Sequence, residues 1–194
     1  LTSDIAALAD TVGWIRTIQS ADEMAEASLA AIETAMGSPA RVASLILPAD
    51  CQWSPGPEPL SDKPSPKRRE PESQTIQEAA RRLRTGRGGL LIGDNALTGR
   101  GLRAAARVSA ATGCTVWSET LPARRECGRH LPHFPALPYF PDKAVKVLES
   151  IDHLVLGGAR EPVAFFAYPD QPSRLTPETA ALYPLADPDA GDDA

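Results

Sequence analysis

Gly93-Asp94-Asn95, with Gly99 close behind, and Gly157-Gly158 each follow an apolar run and precede a polar one. Backbone N–H groups at such strand-to-helix turns can hold a phosphate, because a helix N-terminus leaves its first amides unpaired. The spacing matches neither the dinucleotide fingerprint nor the P-loop. These residues therefore read first as tight turns and second as a nucleotide crevice. A second set, Glu119, Arg124 and Arg125, places one carboxylate and two guanidiniums in a single segment. An arginine fork can grip a carboxylate through two hydrogen bonds, so this set could recognise a small organic acid. Solvated surface charge is the plainer reading.

Other combinations carry less. Cys127, His130 and His133 have the spacing of metal ligands, but a structural zinc site uses four ligands and no fourth lies nearby. No metal site is expected. Ser109 and Ser118 lack a nucleophile-elbow context, and no Gly-x-Ser-x-Gly occurs. Arg100, Arg103 and Arg107 line one helix face as a solvated stripe. His153 opens a strand and reads as structural. No residue is assigned a catalytic role.

The elements that must position these residues follow from periodicity. From residue 74 onward, apolar strands alternate with helices. Ile76, Ala79, Ala80 and Leu83 mark a helix ended by Gly86, and GGLLIG is a buried strand. GRGLRAAARVSAAT is a helix closed by Gly113, followed by the strand CTVWS. A long loop runs to Pro141, Asp142 caps the helix KAVKVLES, and HLVLGG is a third strand. Such alternation predicts an α/β fold, a Rossmann-like parallel sheet with flanking helices and right-handed crossovers.

Upstream, residues 1–51 form an incomplete α/β piece. DIAALAD reads as the end of a helix and GWIRTIQ as a short strand. Ser20 and Glu23 form a capping box for a helix carrying Ala25, Leu29, Ile32 and Met36, with Gly37 as the stop. RVASLIL is apolar at nearly consecutive positions, as in a strand covered on both faces. One such strand and one helix make no core alone, so this piece is expected to be poorly ordered or paired with another copy. Residues 52–73 hold six prolines and the triplet Lys67, Arg68 and Arg69, and read as an extended linker.

Composition narrows the function classes. The 194 residues carry a net charge of -5 and no apolar run long enough to span a membrane, so neither nucleic acid nor membrane is an expected partner. Three cysteines, an odd and sparse set, suit a reducing cytoplasm. The first residues do not read as a signal peptide.

The order of pieces, SPARVASLILPADCQW, a proline linker, then IQEAARRLRTGRGGLLIGDNALTGRGLRAAARVSAATGCTVWSETLPA, resembles the acetolactate synthase-like family of thiamine diphosphate enzymes. In that family a pyrimidine-binding domain ends in a strand and Pro-x-Asp, here Pro48 and Asp50, and a linker leads to a central Rossmann-like domain. The resemblance implies that residues 1–51 are the end of the pyrimidine-binding domain and 74–194 the central domain. It implies thiamine diphosphate and magnesium in a longer parent, with the catalytic glutamate before Leu1 and the metal motif beyond Ala194. The fragment alone is then expected to be inactive. The parent would decarboxylate a small 2-oxo acid, ligate or protonate the product, and form a homo-oligomer, a dimer or tetramer, with the remaining domains as partners. Some family members hold FAD in the central domain beside a glycine-rich turn. Here Asp94 and Asn95 replace glycines of that turn, so FAD is not expected. A different class of reading is a non-catalytic nucleotide- or FAD-binding α/β module.

Overall fold

The structure is a computed structural model that describes residues 3–37, 41–58, 60 and 70–185. Lys67, Arg68 and Arg69 lie outside the described residues. The chain divides into two compact units, with the boundary between residues 69 and 70.

The first unit begins with helix α1 (Ile5–Asp10), where the Asp4 carboxylate accepts from Ala7 N–H at 3.0 Å. Strand β1 (Gly13–Thr17), helix α2 (Met24–Met36), strand β2 (Val42–Ile46) and helix α3 (Ala49–Trp53) follow. β1 and β2 pair in parallel, with Gly13 opposite Val42. Close approach sets this start: a Cβ on Gly13 would lie 2.5 Å from the Val42 carbonyl oxygen.

Three sequence expectations change here. The capping box does not form: Ser20 makes no side-chain cap bond, and residues 21–23 wind into a 3₁₀ turn. The Glu23 carboxylate is drawn instead to Arg16, 3.6 Å away. β1 satisfies one edge of β2, yet β2 is not covered on both faces, since Val42 is exposed and the other four residues are half-buried. Ile18, Ala27 and Cys51 are the fully enclosed residues of this unit's core. Cys51 sits in α3, so helix rather than extended linker continues past residue 51 to Trp53.

The second unit is an α/β layer structure. Helix α4 (Ser73–Leu83) leads to strand β3 (Gly88–Ile92), and helix α5 (Gly99–Thr112) to strand β4 (Thr115–Ser118). Helix α6 (Pro141–Leu148) leads to strand β5 (His153–Gly157), and a strand the sequence reading passed over, β6 (Ala181–Pro184), closes the edge. The order is β4-β3-β5-β6, all neighbours parallel. α5 begins with Thr98 as its cap and ends at Gly113, whose φ of 76° is the left-handed C-terminal conformation. α6 begins with Pro141 rather than with an aspartate cap; Asp142 stands in its first turn. Proline fits there because the first helical N–H has no partner to lose.

Strand alternation sorts the core into two layers. Leu90 and Ile92 of β3, with Val116 and Val155, face α4 and α5 through Ala79, Leu83, Leu102 and Ala105. Leu91, Trp117, Leu154 and Leu156 point the other way, onto Ala144 and Leu148 of α6. Gly89 makes room for that second layer, since a Cβ there would meet the Trp117 ring at 2.8 Å. With both faces covered, all five residues of β3 are buried. At the amino end of the sheet, Asp152 accepts from Arg87 through its backbone N–H at 2.9 Å and its guanidinium at 2.9 and 3.4 Å.

Candidate crevice at the carboxyl edge of the sheet

The chain runs from β3 outward to β4, then crosses back to β5 on the other side of β3. The order therefore reverses between β3 and β5, and in open α/β sheets ligands settle beyond the carboxyl ends of strands at such a reversal. Gly93 follows β3 there, and Gly157 and Gly158 lie at the end of β5. The structure brings these two sets together: Gly93 N–H donates to the Gly157 carbonyl at 3.0 Å. Gly158 turns with φ of 66°, and Asp94 has φ of 39°, a value glycine would adopt more readily. Asn95 lies in the 3₁₀ turn that follows.

Glu119 occupies the space above this turn. A Cβ added to Gly93 would lie 2.4 Å from the Glu119 carboxyl carbon and from one of its oxygens. Glu119 N–H donates to the Ile92 carbonyl at 3.0 Å, which fixes its start. Its carboxylate also accepts from the backbone N–H of Arg160, beyond β5. Burial pushes the Glu119 pKa up; the nearby Asp94 charge adds to this, while the Arg160 N–H and charge act against it.

The loop continues over α5. Glu126 N–H donates to the Leu97 carbonyl at 3.0 Å, and its carboxylate accepts from Gly99 N–H at 2.6 Å, at the first residue of the helix. The Arg125 guanidinium donates to the buried Ser118 hydroxyl at 3.2 Å and to the Phe134 carbonyl at 2.6 Å. Arg125 thus ties the outgoing and returning arms of the loop together. Arg124 is different: its side chain is 80% exposed, with Glu126 3.7 Å away. The candidate acid-recognition set therefore separates into three environments, a half-buried carboxylate, an anchored guanidinium and an open one.

His130 and His133 do not assemble a centre with Cys127; among the described residues no group of three or more His, Cys, Asp or Glu side chains is arranged to hold a metal. His153 leaves its Nδ1 buried without a hydrogen bond and sets its ring edge-on to Tyr183. No helix among the described residues is long and apolar enough to cross a membrane.

Sequence reasoning passed over an aromatic group at the same edge. Tyr139 stacks on Phe165 at 5.3 Å and meets Phe140 edge-on at 5.4 Å, while Phe166 meets Tyr168 at 6.4 Å. Phe140, Phe165 and Phe166 are exposed. The signal was present in LPYFP and VAFFAY, two aromatic runs each downstream of a strand.

No protein-family model matches the chain. It is 41% identical over 196 aligned residues to a protein of Mycobacterium tuberculosis (strain ATCC 25618 / H37Rv) described as acetolactate synthase large subunit IlvX, covering 100% of this chain and 38% of the relative. Among solved structures it resembles benzoylformate decarboxylase from Polynucleobacter necessarius, with TM-score 0.68 and 23% identity over 94% of this chain and 35% of that one. It also resembles a thiamin diphosphate-dependent enzyme from Mycobacterium smegmatis, with TM-score 0.64 and 22% identity over 88% of this chain and 33% of that one. At these identities the structural likeness is one of fold, and it agrees with the parallel sheet and flanking helices expected from the sequence. The chain spans well under half the length of the relatives it matches.

Proposed function

We propose that this chain, which resembles the acetolactate synthase-like family of thiamine diphosphate enzymes along its whole length, is the non-catalytic middle of such an enzyme. Residues 1–51, with α3 running on to Trp53, end a pyrimidine-binding domain, the stretch from there to 73 links, and 74–194 form the central domain. The observation that carries this reading is the 41% identity across the full chain to one segment of a much longer relative. The parent decarboxylates a small 2-oxo acid and either protonates the product or joins it to a second carbonyl compound. Thiamine diphosphate held with magnesium supplies the carbanion chemistry when bound, and this chain contributes none of the groups that hold either. It works in the cytoplasm as a homo-oligomer.

Within that reading, the chain's own contribution is to line the approach to the active centre. Arg124, open and positioned beyond the carboxyl end of β4, meets the substrate carboxylate, with Arg125 and Glu119 holding the loop that carries it. A guanidinium and a carboxylate pair bidentately, which orients a 2-oxo acid as well as binding it.

Two measurements test these statements. Full-length protein with thiamine diphosphate and magnesium is assayed for carbon dioxide release from aliphatic and aryl 2-oxo acids, with release from at least one expected; no release from either class ends the assignment. Residues 1–194 alone are titrated with thiamine diphosphate by calorimetry, and magnesium-dependent micromolar binding there contradicts the division of labour.

A further inference from the structure

We propose that the segment 119–126 is a built-in carboxylate plug: Glu119 and Glu126 occupy the two places in the β3/β5 crevice where a nucleotide's phosphates would sit, so the crevice admits neither FAD nor another nucleoside diphosphate. This concerns the crevice itself and stands apart from the proposed chemistry.

Two separate positions carry the inference. The first is Gly93, where the backbone is bare enough for close approach by a diphosphate. That approach is taken by the Glu119 carboxyl, within 2.4 Å of where a Cβ would be, and its oxygens already accept from Arg160 N–H on the far side of the crevice. The second is the start of α5, fourteen residues long, whose positive end favours an anion. The anion present is Glu126, 2.6 Å from Gly99 N–H. Two residues further on, Gly101 N–H donates to the Thr98 hydroxyl at 3.4 Å. Asp94 stands beside Glu119 and adds negative charge to the same turn.

The plug is also fastened at both ends. Glu119 N–H is bonded to Ile92 and Glu126 N–H to Leu97, each at 3.0 Å, while Arg125 between them is bonded to Ser118 and Phe134. A phosphate entering would have to displace two carboxylates that are covalently delivered to their sites, and would meet Asp94 as well. Such tethering gives each carboxylate a high effective concentration, against which a free ligand competes poorly.

The test is hydrogen exchange on the full-length protein, with and without ADP or FAD at millimolar concentration. Peptides covering residues 93–101 are expected to exchange at the same rate in all three samples; protection by either ligand overturns the proposal. In the Glu119→Ala/Glu126→Ala protein the same peptides are expected to exchange about tenfold faster, and ADP is expected to slow them. Unchanged exchange in that variant shows that the carboxylates do not hold the crevice and also overturns the proposal. Should the double variant misfold, Glu126→Gln serves. It keeps the acceptor oxygen without the charge, so Gly99 is expected to stay protected, and exchange as fast as in Glu126→Ala refutes the cap.

Discussion

β2 and β3 are each five-residue parallel strands of almost unbroken apolar or small character, VASLI and GGLLI, yet only one of them is buried. β3 lies between two strands and two helical layers, and none of its residues reaches solvent appreciably. β2 has one strand beside it and leaves Val42 57% exposed. The first unit also exposes Ile5, Leu8, Val12, Ile32, Met36 and Trp53. A nearly continuous apolar strand therefore records the environment the sequence is suited to, and the two units differ in how far that environment is supplied by the described residues.

The largest effect that could break this contrast comes from truncating the two cores. Leu154→Ala, in the centre of β5 where the side chain is wholly enclosed, is expected to cost about 2–5 kcal/mol by urea denaturation. Leu45→Ala in half-buried β2 is expected to cost about 1 kcal/mol. Equal losses would mean that the first unit is as well packed as the second.

Glycine substitutions sharpen the contrast further, because they separate crowding from backbone strain. Gly93→Ala pushes a methyl group into the Glu119 carboxyl and is expected to cost about 1–3 kcal/mol. Gly113→Ala meets nothing within 4 Å and suffers only from its φ of 76°, so about 1 kcal/mol is expected. If the two melts coincide, the loop over Gly93 yields more easily than its hydrogen bonds imply.

Within the proposed function, Arg124→Ala and Arg125→Ala should part company. Arg124, with its open side chain, is expected to lose about tenfold in kcat/KM for the 2-oxo acid with an unchanged Tm. Arg125, bonded to Ser118 and Phe134, is expected to lower Tm. Unchanged kcat/KM in the Arg124 variant would remove the acid-recognition role.

The second unit was largely legible in the sequence because β3, β4 and β5 carry mostly buried apolar runs and the helices between them are punctuated. Gly113 and Gly86 both have positive φ where the reading placed stops. β6 was missed because ALYP is short, ends in proline and has only one partner strand, so neither length nor alternation marks it. The Ser20 capping box was misread because Arg16, four residues earlier, attracts Glu23, and spacing within a motif carries no information about a competing charge outside it. The crevice was half legible. The glycines named its floor, but that Glu119 and Glu126 cover it depends on a loop folding back, with Glu126 returning to Gly99 from 27 residues away, and no local period encodes that return.

The smallest effect concerns charge rather than burial, and it tests whether the units also differ in how tightly ion pairs are set. In α4 the Glu78 carboxylate accepts from Arg81 at 2.7 and 2.9 Å and from Arg82 at 2.6 Å. In the first unit Arg16 stands 3.6 Å from Glu23 and 3.4 Å from Glu26. The Arg81 hydrogen bonds, then that of Arg82, hold the Glu78 pKa down at about 2 against an ordinary 4.5. A carboxyl whose pKa is lowered on folding stabilises the fold above its unfolded value and loses that contribution as pH falls through the folded one. The window therefore opens near 4.5 and closes near 2. Because the pair is exposed, salt screens it and the effect stays small. Glu78→Gln is thus expected to lower Tm slightly at pH 6 in low salt, and the difference from the unsubstituted protein should shrink as pH falls from 4.5. Glu26→Gln is expected to change Tm less than Glu78→Gln at every pH, since its longer contact and 76% exposed side chain leave little to lose. A Glu78 effect that persists unchanged at pH 3, or in molar salt, would show that the side chain acts through packing on α4 and not through its charge.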